Sequence, residues 1–314
     1  MAEDSEIQDI VYSLAASPAF DRDGLCFAAR ASGLVRSEDG GLTWQDAYAS
    51  LELDAILPTA AVAVSPDFPA DGCVFAGVSG AILRSLDGGH SWFAAALPSP
   101  PSLVLALAVS PDFAHDGTLF AGTLEDGVFR SGDRGALWAA WNFGLLDLNV
   151  LCLAISPDFA HDETLFAGTE SGIFRSTNGG RAWREADFSP DAAPVLTLAL
   201  SPNYANDGVL FAGTEAQGLF RSEDRGRHWT RLGQSMVTEA VNGLILSPRF
   251  PAEPHVLVVQ GDTLLVSRDG GHTWSPWQTG WSAGQDIASV IAPQGLDPGA
   301  PLLVGLVGGD VLRI

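Results

Sequence analysis

The chain has 314 residues, 46% hydrophobic and only 17% charged, a balance that suits a globular fold with a large core rather than a disordered chain. Its net charge is −22, from 38 acidic and 16 basic residues, and every base is arginine. The lack of lysine excludes Schiff-base chemistry, and the acidic excess argues against nucleic acid and anionic membrane surfaces while leaving cationic partners and metal ions open.

The chain begins Met1-Ala2-Glu3-Asp4-Ser5-Glu6, an acidic opening without the apolar run of a signal peptide. No stretch approaches the 18 uninterrupted apolar residues of a membrane span. Cys26, Cys73 and Cys152 are odd in number and match no zinc spacing, so free, mostly buried thiols are expected. A cytoplasmic monomer is the expectation, or a secreted protein if a leader has been removed.

From Val11 onward one unit recurs. In its third copy an apolar run, Val104 to Val109, forms strand A, and Ser-Pro-Asp-Phe with Asp-Gly close behind makes the A–B loop, Ser110 to Gly117. Strand B is Thr118 to Thr123, strand C is Gly127 to Ser131, and a turn then leads into strand D at Trp138. That turn reads Ser-x-Asp/Asn-x-Gly-x-x-Trp and occurs six times, from Ser37 to Trp44, Ser85 to Trp92, Ser131 to Trp138, Ser176 to Trp183, Ser222 to Trp229 and Ser267 to Trp274. Successive copies start 48, 46, 45, 46 and 45 residues apart. Four short strands per repeat of that length predict an all-β, seven-bladed β-propeller of four-stranded antiparallel blades.

The turn has a local logic. Asp39, Asp87, Asp133, Asn178, Asp224 and Asp269 are placed to accept main-chain N–H groups ahead of them, and the glycine in fifth place tolerates positive φ. Trp44, Trp92, Trp138, Trp183, Trp229 and Trp274 each bring a large apolar surface to the seam between strands. These residues read as structural, because each unit needs the same turn. In strand A the place four before the Ser is mostly small (Ser13, Ala61, Ala106, Cys152, Thr197, Gly243, Ala288) and the next is mostly bulky, which predicts an inner strand buried on both faces.

Counting strand A gives seven units. The seventh runs from about Ile287 to Ile314 and stops where its turn would begin, so its blade is expected to be three-stranded or weakly completed by Met1 to Ile7. The first D–A connection, around Leu51 to Asp54, holds the one length change larger than a single residue. No linker interrupts the chain, and 1–314 reads as a single domain.

Candidate chemistry is sparse. The A–B loops repeat acids, with histidine added at His115-Asp116 and His161-Asp162. A metal reading competes there with turn formation, and sister units carrying Ala70 and Asn206 favour the turn. Arg36, Arg84, Arg130, Arg175 and Arg221 precede the turns at one fixed place, so they radiate outward and are expected to pair with neighbouring carboxylates or carbonyls. The variable B–C loops carry Glu125, Asp126, Glu170, Glu215, Asp262 and Asp310, on the face shared with the D–A loops. These acids form either a solvated rim or a ligand site that binds a weak divalent cation, a cationic group or a glycan. A facing pair of them would suit glycoside hydrolysis. Of the tryptophans outside the turns, Trp141 and Trp277 read as seam packing, and Trp281 is the candidate stacking surface.

The six-fold turn resembles the Asp-box, or BNR repeat, of sialidases, sortilin-type receptor domains, xyloglucan-cleaving glycosidases and photosystem II assembly factors of the Ycf48 type. The resemblance covers nearly the whole chain and implies a propeller, on which those families do unrelated things. Sialidase activity does not carry over: the chain has no Arg-Ile-Pro motif, and Tyr12, Tyr48 and Tyr204 form no Tyr–Glu pair with a nucleophile's place. The leading expectation is a non-catalytic scaffold presenting one face to a protein or small ligand, without resident cofactor or metal. A glycoside hydrolase or carbohydrate-binding propeller is the alternative. A Ycf48-like assembly factor ranks last, for want of a basic surface.

Overall fold

Each repeat folds into one sheet whose strands lie in chain order. In the first blade strand A is Val11–Ala16, B is Cys26–Arg30, C is Gly33–Ser37 and D is Gln45–Asp46. The computed structural model describes residues 8–98, 102–189, 191, 194–278 and 281–314. Within them stand seven antiparallel sheets, six of four strands and a last one of three, Ile287–Ile291, Leu303–Leu306 and Val311–Arg313. Strand A of each blade lies beside strand A of the next, and that of the seventh lies against Val11–Ala16, so the ring closes into a seven-bladed β-propeller. Met1 to Ile7, expected to complete the last blade, lie outside the described residues.

The Ser-to-Trp turn is held by its own side chains. Asp39 Oδ1 accepts the N–H groups of Leu42 (3.0 Å) and Thr43 (2.9 Å), and Oδ2 accepts the Thr43 hydroxyl. Ser37 Oγ donates to Asp39 and accepts the Gly41 N–H. Asp87, Asp133, Asp224 and Asp269 accept the two matching N–H groups, and Asn178 Oδ1 accepts the Ala182 N–H. The fifth-place glycine has φ of +87° at Gly41 and +98° at Gly271, the region only glycine enters freely. Two tryptophans tie their blade to the one before it: Trp92 Nε1 donates to Ala47 O and Trp183 Nε1 to Trp141 O, both at 2.8 Å. Trp138 and Trp274 donate instead within their own turns, and the buried Trp229 Nε1 has no acceptor.

The core lies between blades. Strand B is buried along its whole length in the second to fifth blades. Its Phe75, Phe120, Phe166 and Phe211 each meet, edge to face, the aromatic ring of the next blade's A–B turn, Phe113, Phe159, Tyr204 and Phe250. Glycine in strand B makes room for the neighbouring strand A. A Cβ on Gly122 would lie 2.6 Å from Val150 Cγ1, and one on Gly77 2.6 Å from Val104 Cγ1. The sixth blade inverts the arrangement, with Val259 in strand B paired to Gly243 in strand A.

Strand A departs from expectation. At most part of an inner strand is buried: in Val150–Ile155 Val150 alone is fully covered, and in Gly243–Leu246 no residue is. Each inner strand is covered by its own strand B and by the inner strands of the two adjacent blades, which leaves most of its residues half-buried. A β-bulge near the start of strand A recurs in six blades and adds twist at that end.

The A–B acids serve the fold. Asp23, Asp71, Asp116, Asp162 and Asp207 each accept the hydroxyl of the loop's Ser (2.6–2.7 Å) and the N–H two residues on. His115 and His161 pair with Asp112 and Asp158 at 2.6 Å, bonds that raise both imidazole pKa values. No disulfide links the cysteines among the described residues; burial pushes Cys26 up to about 12 and Cys73 to about 11, which keeps both as unreactive thiols.

Candidate binding face

Because strands alternate in direction, the B–C and D–A connections emerge on one face of the ring, and the A–B loops and Ser-to-Trp turns on the other. The sequence-derived candidates occupy the first face. Glu125, at φ +76°, and Glu170 meet at Asn149, whose Oδ1 accepts the Glu125 N–H (3.1 Å) and whose Nδ2 donates to Glu170 Oε2 (3.0 Å). Asp147 stands beside them, accepting the N–H groups of Asn149 (3.0 Å) and Ser171 (2.8 Å). Partial burial works against its charge, but these bonds outweigh it and hold the carboxyl below its ordinary range. The Asp126 carbonyl accepts the Asn142 amide.

The remaining acids stay apart. Glu215 and Asp310 are exposed on the fifth and seventh blades, and Asp262 Oδ2 accepts the hydroxyl of Ser282 in the D–A connection that follows the sixth blade. Among the described residues no three acids of this face gather closely enough to share an ion. The grouping that does, Glu253, His255 and Asp297, lies on the A–B face, where Arg249 reaches both carboxylates. Trp281 is half-buried and packs with Trp277 against the core between the sixth and seventh blades. Trp141 lies under the Arg130 guanidinium, 4.3 Å from ring centre to Cζ.

Sequence reasoning passed over Asp147 and Asn149, whose side-chain roles no repeat pattern signals. It also left the first D–A insertion without a task. There a 3-10 turn, Ala49–Leu51, ends in Glu52 at φ +47°. Tyr48 anchors it: the phenol bonds Thr59 Oγ1 (3.0 Å) and the ring meets Trp92 edge-on at 5.4 Å, and burial raises the phenol's pKa. Beneath the insertion is a cavity of about 610 Å³ walled by Ser32, Asp46, Tyr48, Glu52, Leu53 and Ile56, among others. Leu53 and Ile56 are 48% and 59% exposed, so the wall joins apolar side chains to carboxylates. Volume and lining suit a small ligand.

The expected lack of a basic surface is corrected. Arg175, Arg184, Arg225 and Arg227 line one groove between the fourth and fifth blades, on the side of the Ser-to-Trp turns. Net charge averages over the molecule and hides such a local concentration.

No protein-family model matches the chain, and no curated protein matches it by sequence. Solved structures do match its fold. The GH74 xyloglucanase from Xanthomonas campestris superposes with a TM-score of 0.75 at 18% identity over 97% of this chain, which spans only 52% of that enzyme. YCF48 bound to D1 peptide gives 0.73 at 18% identity, covering 98% of this chain and 93% of that one. The extracellular domain of a putative hybrid two-component system from B. thetaiotaomicron gives 0.71 at 13% identity, covering 98% and 38%. At these identities the likeness is one of fold.

Proposed function

We propose that this chain is an Asp-box propeller acting as a non-catalytic scaffold, which presents its B–C and D–A face to a small ligand or a protein segment seated in the cavity under Leu53 and Ile56. One observation carries the reading: the one connection lengthened by more than a single residue, in a repeat of nearly constant length, lines a mixed apolar and acidic cavity on that face. The wall favours an occupant with an apolar body and a hydrogen-bond-donating or cationic group toward Asp46 and Glu52. A glycan and metabolite screen by thermal shift tests it. Hits should raise the parent's midpoint and lose that effect in Ile56→Asp; hits that stabilise both proteins equally would place the ligand elsewhere and end this reading.

A carbohydrate-processing reading is favoured by the carboxylates of Asp147 and Glu170, both bonded to Asn149, with the Glu125 main chain beside them. Two carboxylates on one polar patch are what glycoside hydrolysis needs, and the GH74 enzyme has the same fold. Release of reducing sugar from xyloglucan oligosaccharides, abolished by Glu170→Gln, would replace the scaffold reading with this one.

A further inference from the structure

The groove between the fourth and fifth blades is unlike its counterparts around the ring. Equivalent seams pair the first residue of one strand D with the sixth residue of the next turn: Gln45 with His90, Phe93 with Ala136, Ala139 with Arg181 and Thr230 with His272. At the fourth seam the pair is Arg184 with Arg227. The repeat does not require arginine at either place, since five other turns fold without that combination.

The four arginines there divide into two kinds. Arg175 donates to Arg225 O (3.2 Å), and Arg225 donates to Ala205 O (2.6 Å) while stacking over Tyr204, so both are committed to the seam. Arg184 and Arg227 are exposed and have no side-chain hydrogen bond or ion pair among the described residues. Arg181, the arginine of the preceding seam, is by contrast paired with Glu163 at 2.9 Å. Arg184 also stands directly across from Arg175 in the sheet, a like-charge pair that destabilises it. Glu185 and Asp187 line the same groove without pairing to either free arginine, and His228 is held by Asp224. Four guanidinium groups therefore face two carboxylates, in a chain whose overall charge is −22.

We propose that this groove binds a small molecule bearing an oxyanion group, a phosphate ester or a polycarboxylate, gripped by Arg184 and Arg227. Guanidinium forks match the planar or tetrahedral oxygens of such groups and bind them in pairs of hydrogen bonds. An anion also relieves the repulsion between Arg175 and Arg184. The groove's volume, about 690 Å³, lies in the range of small-ligand sites. This site is on the opposite face from the insertion cavity and shares no residue with it, so either can fail alone.

The test is calorimetric titration of the whole chain at low ionic strength with pyrophosphate and, separately, with citrate; the two arms distinguish phosphate from carboxylate chemistry. At least one should bind with Kd below about 1 mM. Affinity should fall at least tenfold in Arg184→Ala/Arg227→Ala, fall by a smaller factor in Arg184→Lys/Arg227→Lys, which keeps the charge but loses the fork, and be unchanged in the distant Arg22→Ala. Added salt should weaken it. If the double alanine variant loses its fold, Arg227→Gln alone decides, with the same direction expected. Failure of both anions to bind the parent below about 1 mM, equal binding by the alanine variant, or an equal loss in Arg22→Ala would overturn the proposal.

Discussion

At Asp133 one carboxylate accepts the N–H groups of Ala136 and Leu137 and the Ser131 hydroxyl, three bonds that the turn otherwise leaves unmade. Asp133→Ala should therefore destabilise by about 1–2 kcal/mol in denaturant unfolding. Trp183, 3% exposed and bonded to the previous blade, should be worth more, about 3–5 kcal/mol on truncation to alanine. Unchanged midpoints for both variants would refute a structural role for the turn. The same bonds set an acid limit. At Asp39 the Thr43 hydroxyl, followed by the Thr43 N–H, lowers the pKa from 3.8 to about 2; at Asp87 and Asp269 burial opposes ionisation, but the bonds from Ser91 and Thr273 outweigh it and reach about 2. A depressed folded pKa means stability that is fully present above 3.8 and lost as pH falls toward 2. The thermal midpoint should drop steeply across that window in the parent and less steeply in Asp39→Asn/Asp87→Asn/Asp269→Asn. These turns were legible from sequence because the donors and acceptors lie within a few residues of each other. Asn149 was not, because its partners Glu125 and Glu170 are 24 and 21 residues away.

The element that fits the blades together is strand B, and its glycine is fixed by a neighbour in another sheet. Gly122 has ordinary strand geometry, so it is not there for a positive φ; it is there because Val150 of the next blade occupies the space of a Cβ at 2.6 Å. Gly122→Ala should cost about 1–3 kcal/mol by overpacking, and Gly122→Ala/Val150→Ala should recover part of that loss. A neutral single variant in urea unfolding would show that the blades separate freely. The Phe-Ala-Gly signature of strand B is visible in the sequence, but its cause is not, since it lies one blade away. The half-exposure of strand A has the same origin. A sequence shows which residues are small, and only the closed ring of blades shows how far each is covered. The insertion cavity was half legible: the 48-residue spacing marks where extra chain sits, whereas its shape depends on Tyr48 docking against Trp92 across the first seam.

At the scale of the whole molecule, the propeller holds only if the seventh seam is as sound as the other six, and this seam joins residues nearly a chain length apart. The arginine before each turn does part of that joining. Arg84 donates to Arg134 O (3.1 Å), Arg175 to Arg225 O (3.2 Å) and Arg221 to Gly270 O (2.9 Å), each reaching the turn of the following blade. Arg313 holds the same place in the last blade, and its Nη1 donates to Gly40 O at 3.1 Å, in the turn of the first. Ser289 Oγ adds a bond to Val11 O (2.8 Å), and Arg30 reaches Gly309 O (3.3 Å). A repeat ring is stabilised by nearest-neighbour interfaces, and the closing one carries the entropy of bringing the two ends together. Losing Arg313 should therefore be felt at both ends and little in between. Arg313→Ala should lower stability by about 1.5–3 kcal/mol, the range for a hydrogen bond to a charged group. Hydrogen exchange should rise in strands Val11–Ala16 and Ile287–Ile291 while Val104–Val109 and Val150–Ile155 keep their protection. Arg84→Ala removes the same bond from an interior seam whose blades remain joined by chain on both sides, so its exchange should rise less. Equal exchange in the two variants would mean that the ends are held by packing alone and that Arg313 is not a latch.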